Sequence, residues 1–379
     1  MLFHVPGSPW MFGALCGVSL YMSATAVAAE PVEMSRHLFG DASNDNFGCA
    51  LELANGDLLL AGTSRDAVTD DPDILVVRTD AQGATLWQQK FGQPGRVERT
   101  RQKECLAPTP DGHFVVGMEI NPGPNGARDA GITKFDGSGN ILWETVHGGS
   151  GHDQATQVSI AADGDIYLAG LTFSFGAAFN DMWVSKLDQA GNVLWSQIYG
   201  GACGATYEAG WNLQSTADGG FIIAGGGGGT ASFYKADEDG NLEWSACDFS
   251  GQVRDIDATD DGGFIVTGLL SGTDGDAVLA KYDASLTQEW ITSFGDTGYD
   301  LGLEVIQTSD GGYAFTGYHL ATATAGVGLD DLWFVKTDAL GNLEHELIVG
   351  SAIGGDQGDK VLELQDGRYA VAGRLFESP

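Results

Sequence analysis

Positively charged residues are scarce in this chain of 379 residues, where 18 Lys and Arg stand against 52 Asp and Glu and the formal net charge is −34. A field of that sign repels phosphate backbones and anionic lipid headgroups, which argues against nucleic acid as a partner. Cysteine is also scarce, at five residues, and none of the five has the spacing of a metal-binding finger. The composition is that of an acidic globular protein.

Recognisable catalytic motifs are missing too. The sequence has no G-x-S-x-G elbow, no H-E-x-x-H pair and no phosphate-binding loop, and its histidines are scattered. Catalysis needs an activated nucleophile, paired carboxylates or a metal with an open position, and the sequence marks none of them. The sequence therefore favours a non-catalytic protein, and we predict no cofactor.

Long apolar runs are limited to the N-terminus. Residues 10–28 read WMFGALCGVSLYMSATAVA and end in small residues. This pattern predicts a signal peptide over residues 1–29, cleaved after Ala28 or Ala29, followed by one domain over residues 30–379. A membrane anchor is less favoured because Ser and Thr interrupt a run near the minimum spanning length. We expect an exported protein, periplasmic, cell-surface or secreted, without stable membrane insertion after signal removal.

Glycine, in contrast, is abundant at 57 residues, and much of it falls in a phrase that recurs at intervals of roughly fifty residues. The seven copies are NGDLLLAG at 55, DGHFVVGM at 111, DGDIYLAG at 163, DGGFIIAG at 218, DGGFIVTG at 261, DGGYAFTG at 310 and DGRYAVAG at 366. Self-similarity at this period predicts an array or ring of repeated units.

One unit reads as four short strands. In the sixth unit these are LEVIQTSD, GGYAFTGYHL, DDLWFVKTD and NLEHELIVG, each bounded by turn residues. Asp-Gly at the first junction and D-x-x-G-N at the third are hairpin turns, because Gly and Asn tolerate positive φ. Four consecutive antiparallel strands are one propeller blade.

The third unit carries a family resemblance. Its sequence GGSGHDQATQVSIAADGDIYLAGLTF, followed by DMWVSKLDQAGNVLWSQIYGG, resembles the blade repeat of exported bacterial and archaeal β-propeller proteins. The resemblance covers nearly everything after the signal and implies a propeller in an extracytoplasmic location. It implies architecture alone, since those proteins have diverse roles. The leading G-G-x-x-x-D is degraded or lost in units two, four and five.

The ends of the chain share a unit in this interpretation. Six complete units run from about residue 40 to 350, and DKVLELQD and GRYAVAGRLF then supply the first two strands of a seventh. VEMSRHLFG near the N-terminus resembles a fourth strand, while the third strand of that blade is unassigned. We predict an all-β single β-propeller of seven four-stranded blades, with six blades or an open array as alternatives.

Several columns recur across the units. Tryptophans on the fourth strand predict blade-to-blade packing, and a cation on the third strand predicts a bond to turn carbonyls or to a carboxylate. Cys49 and Cys105 occupy the same position of adjacent units and are a plausible disulfide, with Cys203 and Cys247 as the other pair. Four cysteines permit three pairings, and the sequence does not choose among them.

Acidic residues dominate the position eleven residues before the Gly of the phrase, which holds Asp45, Arg101, Asp153, Glu208, Gly251, Asp300 and Asp356. Because this column precedes the innermost strand, we predict that it rings the mouth of the central channel and binds a cation or a cationic partner. The structural alternative is that the carboxylates cap turn amides. Calcium is a possible cofactor, although no D-x-D-x-D-G run is present.

Residues that break the repeat are the other binding candidates. In an antiparallel blade the first and third junctions share one face, and the long second and inter-blade loops share the other. Those long loops hold a basic cluster and several aromatic residues: Arg96, Arg99, Arg101, Lys103, Phe173, Phe175, Phe179, Tyr207, Trp211, Tyr318 and His319. The cations could bind an acidic partner or neutralise nearby acids, and the aromatics could contact sugar or peptide or pack under their own loops.

These observations favour an exported, non-catalytic, monomeric propeller that binds a protein or a glycan through its long-loop face and channel mouth. The alternative is an enzyme built on the same scaffold, either a hydrolase or lyase acting on polysaccharide or a quinone-dependent dehydrogenase.

Overall fold

A computed structural model describes residues 18–23, 32–39, 46–65, 72–100, 104–125, 128–176, 181–201, 209–216, 218–227, 229–272, 275–296, 298–320, 330–350 and 355–374. Regular structure within these ranges is β-strand. Over the same ranges, no helix has the length and apolar character needed to cross a membrane.

The strands described are β1 (Val18–Ser23), β2 (Val32–Leu38), β3 (Asn46–Glu52), β4 (Leu58–Arg65), β5 (Pro72–Thr79), β6 (Thr85–Phe91), β7 (Val97–Arg99), β8 (Leu106–Pro108), β9 (Phe114–Asn121), β10 (Asp129–Phe135), β11 (Ile141–His147), β12 (Asp153–Ile160), β13 (Ile166–Thr172) and β14 (Asp181–Leu187). They continue with β15 (Val193–Tyr199), β16 (Ala209–Ser215), β17 (Phe221–Gly227), β18 (Thr230–Ala236), β19 (Leu242–Ala258), β20 (Phe264–Leu270), β21 (Asp276–Tyr282), β22 (Gln288–Phe294), β23 (Leu301–Gln307), β24 (Tyr313–Leu320), β25 (Asp330–Thr337), β26 (Leu343–Val349), β27 (Gln357–Glu363) and β28 (Arg368–Arg374).

These strands form antiparallel meanders that follow the sequence repeat. The first unit is β3 to β6, the third is β12 to β15 and the sixth is β23 to β26. In the second unit, β7 and β8 both pair with β9, so two short strands stand where other units have one inner strand. Units four and five form one seven-stranded sheet, because the 17-residue β19 is the last strand of one and the first strand of the next.

The two ends of the chain share the last unit, as predicted, in the order β27, β28, β1 and β2. The fourth position is β2, also as predicted. The third position, which the sequence interpretation left unassigned, is filled by β1, whose residues 18–23 pair with residues 368–373 of β28. This strand lies inside the segment predicted as a signal peptide.

The outermost strand of a unit is less buried than the strands inside it. Third strands such as β10 are buried along their whole length, whereas fourth strands such as β6 are mostly exposed. Apolar side chains fill the space between neighbouring units; Phe91 and Phe135, for example, lie 5.2 Å apart between ring centroids. Neighbouring units contact each other in chain order, and β27 and β28 of the last unit contact β3 of the first.

A tryptophan on the fourth strand of a unit packs against the third turn of the following unit. A Cβ atom on Gly191 would lie 2.9 Å from the Trp143 ring, and Gly191 has φ of +84°. Both the close contact and the backbone conformation therefore require glycine at this position. The Trp143 Nε1 donates a hydrogen bond to the Gln189 carbonyl at 3.2 Å. The same contact recurs at Trp87 with Gly139, Trp195 with Gly240 and Trp290 with Gly341.

The cation column pairs with the aspartate at the first turn of its own unit. Lys281 Nζ lies 2.8 Å from Asp261 Oδ2, and equivalent pairs are Arg78 with Asp57, Lys134 with Asp111, Lys186 with Asp163, Lys235 with Asp218 and Lys336 with Asp310. The first and third turns lie on one face, here called the short-turn face. The second junctions and the inter-unit loops lie on the opposite, long-loop face.

Candidate functional site

One column of side chains runs around the inner strands and links each unit to the next. It occupies the position seven residues before the Gly of the repeat phrase, and we call it the inner belt: Cys49, Cys105, Gln157, Asn212, Asp255, Glu304 and Lys360. In β3, β12, β16, β19, β23 and β27 a β-bulge directly precedes this position. The bulge reaims the side chain, here toward the neighbouring unit.

Members of the inner belt bond to the next unit in different ways. Cys49 and Cys105 form the predicted disulfide, with Cα atoms 5.7 Å apart. Asp255 Oδ2 accepts a hydrogen bond from the Val305 amide at 2.8 Å, and Glu304 Oε2 accepts one from the Val361 amide at 2.6 Å. Buried polar groups must be satisfied in this way to avoid a desolvation cost.

The other predicted disulfide is described in part. Cys247 is disulfide-bonded. Its predicted partner, Cys203, lies outside the described residues.

Lys360 carries the only cation of the inner belt. Its ammonium pairs with Glu304 in the neighbouring unit and with Glu104 of the second unit. Burial acts to lower the pKa of Lys360, but the two carboxylates raise it above its ordinary value, so the ammonium stays charged. Glu304 is fully enclosed, and its charge therefore depends on this cation.

A cavity of about 370 Å³ opens within the ring of inner strands, lined by the inner belt from Gln157 to Lys360 and by the residues that follow it. Asp257 lies in this lining, and its Oδ2 accepts a hydrogen bond from the Gln307 amide at 3.2 Å. Burial raises the pKa of Asp257 to about 6. A carboxyl group with such a pKa can exchange a proton near neutral pH.

The acidic column at the start of the inner strands is directed at loop amides. Asp153, Asp300 and Asp356 are fully buried. Asp153 accepts a hydrogen bond from the Gly149 amide at 2.7 Å, and Asp300 accepts one from the Leu320 amide at 2.9 Å. This is the capping arrangement that the sequence offered as the structural alternative. Asp45, Arg101 and Glu208 lie outside the described residues, and ligand binding by this column stays a prediction.

Two phenylalanines of the third unit are exposed on the long-loop face. Phe173 and Phe175 have exposed fractions of 51% and 45%. The His152 ring contacts Phe173, and the His147 ring stacks on Phe175, each with centroids 6.2 Å apart. We call these four side chains the aromatic platform. Phe175 also packs on Trp183, with ring centroids 5.8 Å apart, so each of these two phenylalanines is about half covered and half exposed.

The loops beneath the aromatic platform are tightly fixed. Asp153 accepts hydrogen bonds from Thr172 Oγ1 at 2.5 Å and from Ser174 Oγ at 2.6 Å, and Ser174 Oγ accepts one from the Gly151 amide at 2.9 Å. A Cβ atom on Gly149 would lie 2.6 Å from Ser174 Cβ, so only glycine allows the two loops to approach this closely. Asp153, a predicted channel-mouth residue, therefore holds the platform in shape.

His147 is half-buried below Phe175 and beside Trp183, whose ring centroid is 5.0 Å away. Burial lowers the pKa of His147, despite the opposing charges of Asp153 and Asp129. The imidazole of His147 is therefore neutral at pH 7.

The remaining loop-face candidates lie apart from the platform. Arg96 is paired with Glu98 and Glu144, its Nη2 being 3.0 Å from Glu144 Oε1, which is the neutralising role that the sequence offered. Arg99 ends β7, and Trp211 lies in β16. Lys103 and Tyr207 lie outside the described residues. His319 is buried in the sixth unit near Asp296 and Asp300.

Sequence reasoning missed His147, Asp257 and Asp296. A signal existed for His147, because it stands directly before the Gly that ends a fourth strand, where other units have Phe91, Tyr199, Phe294 and Val349. The inner belt was also visible as a column, but its residue types differ from unit to unit, and only the two cysteines drew attention.

No family model matches the chain, and no curated protein does. Among solved structures, Sqt1 of Chaetomium thermophilum is 14% identical with a TM-score of 0.52 over 88% of this chain and 97% of that chain. The periplasmic gluconolactonase PpgL of Pseudomonas aeruginosa is 18% identical with a TM-score of 0.52 over 86% of this chain and 89% of that chain. Identities this low establish architecture alone. The all-β chain described here has a β-propeller fold.

Proposed function

We propose that this chain is an exported, non-catalytic β-propeller that binds a glycan on its long-loop face through the aromatic platform. One observation carries the proposal: Phe173 and Phe175 expose about half of their surface on a loop that the buried Asp153 network holds rigid. Large apolar rings that are both exposed and fixed mark a binding surface, because exposure costs free energy and rigidity lowers the entropy lost on binding.

The chemistry of the aromatic platform favours a neutral sugar. Aromatic faces pack against the C–H faces of a sugar ring, while the imidazoles and the Gly-rich loop 148–151 offer hydrogen-bonding groups at the edge. The net charge of −34 repels glycans that carry carboxylate or sulfate groups. A protein ligand is the second source of such contacts, and the experiment below separates the two.

The scaffold we propose has seven blades in a closed ring. Its support is that the described strands fall into seven meanders, that β27 contacts β3, and that the inner belt links successive inner strands. A closed ring leaves no sheet face open at either end, so the long-loop face stays available as a rigid surface.

Export is a separate part of the proposal. The sequence pattern over residues 1–29 supports it, while β1 takes residues 18–23 of the same segment into the last unit. The two assignments compete, because a cleaved signal peptide is absent from the sheet. The intact mass of the protein recovered from the periplasm or medium separates them. A start at residue 29 or 30 supports cleavage, and a full-length mass contradicts it.

Glycan binding is tested first with a labelled protein on an array of neutral and acidic glycans, and then by calorimetric titration of the strongest neutral glycan. We expect Phe175→Ala and Phe173→Ala each to weaken binding by roughly tenfold or more. Leu340→Ala is the matched control, since Leu340 is an exposed apolar residue on the short-turn face. A blank array, or equal binding by all variants, contradicts the proposal. Capture of a protein that is lost on Phe175→Ala would identify a protein ligand instead.

A second candidate, an enzyme acting from the channel, is favoured by Asp257, whose raised pKa of about 6 suits a general acid or base. Sugar lactones and polysaccharides are the substrates to test first, since one protein of similar fold is a gluconolactonase. Turnover that Asp257→Asn abolishes and Phe175→Ala leaves intact would establish this candidate. Absence of turnover, including alcohol oxidation with added quinone and Ca²⁺, removes it.

A further inference from the structure

A histidine and two aspartates converge on the long-loop face of the sixth unit. His319 lies near the end of β24, Asp296 lies in the loop after β22, and Asp300 directly precedes β23. His319 Nε2 lies 3.9 Å from Asp296 Oδ1 and 3.9 Å from Asp300 Oδ1, and the three potential ligand atoms lie within 4.8 Å of one another.

These separations are too long for hydrogen bonds, which have N···O distances of about 2.7 to 3.2 Å. They are close to the distance between two ligands of one small cation. Ligands at about 2.0 to 2.2 Å from a tetrahedral ion lie ~3.4 Å from each other, so a contraction of roughly half an ångström would bring each carboxylate to that distance from Nε2.

The burial of His319 provides a second, independent observation. The residue is 8% exposed, and its Nδ1 has no hydrogen-bond partner among the described residues. An edge-to-face contact with Trp333, at 5.3 Å between centroids, holds the ring so that Nε2 points at the two carboxylates. A buried imidazole without hydrogen bonds costs free energy unless another group satisfies it. The Nε2 atom also lacks a hydrogen bond to the two carboxylates, since it lies 3.9 Å from each, and a metal bound at Nε2 would satisfy that nitrogen.

The two aspartates have complementary roles around this imidazole. Asp300 is fully buried and oriented by the Leu320 amide, 2.9 Å from Oδ1, and by the Asp296 amide, 3.1 Å from Oδ2. Hydrogen bonds of this kind orient metal ligands and tune their affinity. Asp296 is exposed, so the cluster is open to solvent on one side. An ion and a water ligand can reach it there.

We propose that His319, Asp296 and Asp300 bind one divalent transition-metal ion of the Zn²⁺ class, with a coordination position open on the long-loop face. Zn²⁺ binds imidazole nitrogen and carboxylate oxygen, and its open sites keep three protein ligands with one further position for water. Ca²⁺ fits poorly, because it takes six to eight oxygen ligands and does not favour imidazole. The site is separate from the aromatic platform, so either proposal can fail without the other.

The test is a titration of chelator-treated, dialysed full-length protein with Zn²⁺, followed by calorimetry against a competing chelator. We expect one ion per chain, a raised unfolding temperature on binding, and visible absorption bands when Co²⁺ replaces Zn²⁺. His319→Phe keeps a ring against Trp333, and Asp296→Asn changes an exposed side chain, so both variants should fold. Each should weaken Zn²⁺ binding by roughly tenfold or more and reduce the thermal shift accordingly.

His345→Gln is the matched control, since His345 is a histidine on the outer strand β26 of the same unit and belongs to neither the proposed metal cluster nor the aromatic platform. We expect its Zn²⁺ binding to equal that of the unmodified chain. Zn²⁺ binding that survives in His319→Phe and Asp296→Asn would overturn the proposal, as would binding of Ca²⁺ in preference to Zn²⁺ or binding of several ions without a thermal shift.

Discussion

The two faces of this propeller are built from different kinds of residue. On the short-turn face the same contacts recur in unit after unit, as in the pairs Lys281 with Asp261 and Lys336 with Asp310. On the long-loop face each unit differs: the third has exposed phenylalanines, the sixth a buried histidine between aspartates, and the second a paired arginine. Residues that recur hold neighbouring units together, whereas residues that occur once are the candidates for binding.

The inner belt is an exception to this division, because its residues vary between units and yet hold neighbouring units together. We expect Lys360→Met to lower the free energy of unfolding by about 3 to 5 kcal/mol, since it leaves Glu304 buried without its cation. Urea unfolding monitored by tryptophan fluorescence measures this. A loss below about 1 kcal/mol would mean that the pair contributes no more than a surface ion pair does.

The tryptophan contact on the short-turn face should have the next largest effect. Trp143→Ala removes the packing on Gly191 and the hydrogen bond to Gln189, and we expect a loss of about 2 to 3 kcal/mol because the ring is half-buried. Leu142→Ala is the control, being an exposed apolar residue on the same strand. Equal losses in the two variants would show that the column does not hold neighbouring units together.

The repeated ion pairs should each contribute less. Lys281→Met removes the partner of an exposed carboxylate, so we expect a loss of about 1 kcal/mol or less at pH 7. Hydrogen bonds from Lys281 and Thr259 lower the pKa of Asp261 to about 2, below its unfolded value near 4. The bonded carboxylate therefore stabilises the fold above about pH 4, and that stability is lost as the pH falls toward 2.

The same variant supplies the test of this pH dependence. Unfolding curves at pH 6, 4 and 2.5 should show a smaller acid-induced loss for Lys281→Met than for the unmodified chain. Parallel losses in both proteins would mean that this pair has no part in acid stability. Three aspartates of other units also have pKa values of about 2: Asp111, Asp218 and Asp310. They are present in both proteins, so part of the acid-induced loss of stability remains in Lys281→Met.

Most of the fold could be predicted from the sequence because its determinants are local. Asp-Gly and D-x-x-G-N turns fix where strands reverse, and alternating apolar residues fix which strands are buried. The third strand of the last unit could not be predicted, since β1 and β28 are separated by nearly the whole chain. The apolar run that forms β1 also satisfies the pattern of a signal peptide, and the sequence pattern alone favoured the latter.

The sites were predictable only where they interrupt the repeat. Phe173 and Phe175 stood out because the same junction of the neighbouring units has no aromatic residue, and His319 stood out because it interrupts the repeat in the sixth unit. Asp153 and Asp300 were found as a column, but whether their carboxylates face solvent or loop amides depends on loop conformation, which spacing does not encode. Asp296 lies in a loop of variable length, so no column could identify it.

Stability and binding measured together on one variant test the division between the two faces most directly. We expect the double variant Phe173→Ala and Phe175→Ala to unfold within about 0.5 kcal/mol of the unmodified chain, because both side chains are about half exposed. Its glycan affinity should fall by more than tenfold, while Leu340→Ala keeps both properties. Unchanged glycan affinity in the double variant, or a loss of affinity that comes with a comparable loss of stability, would contradict the account.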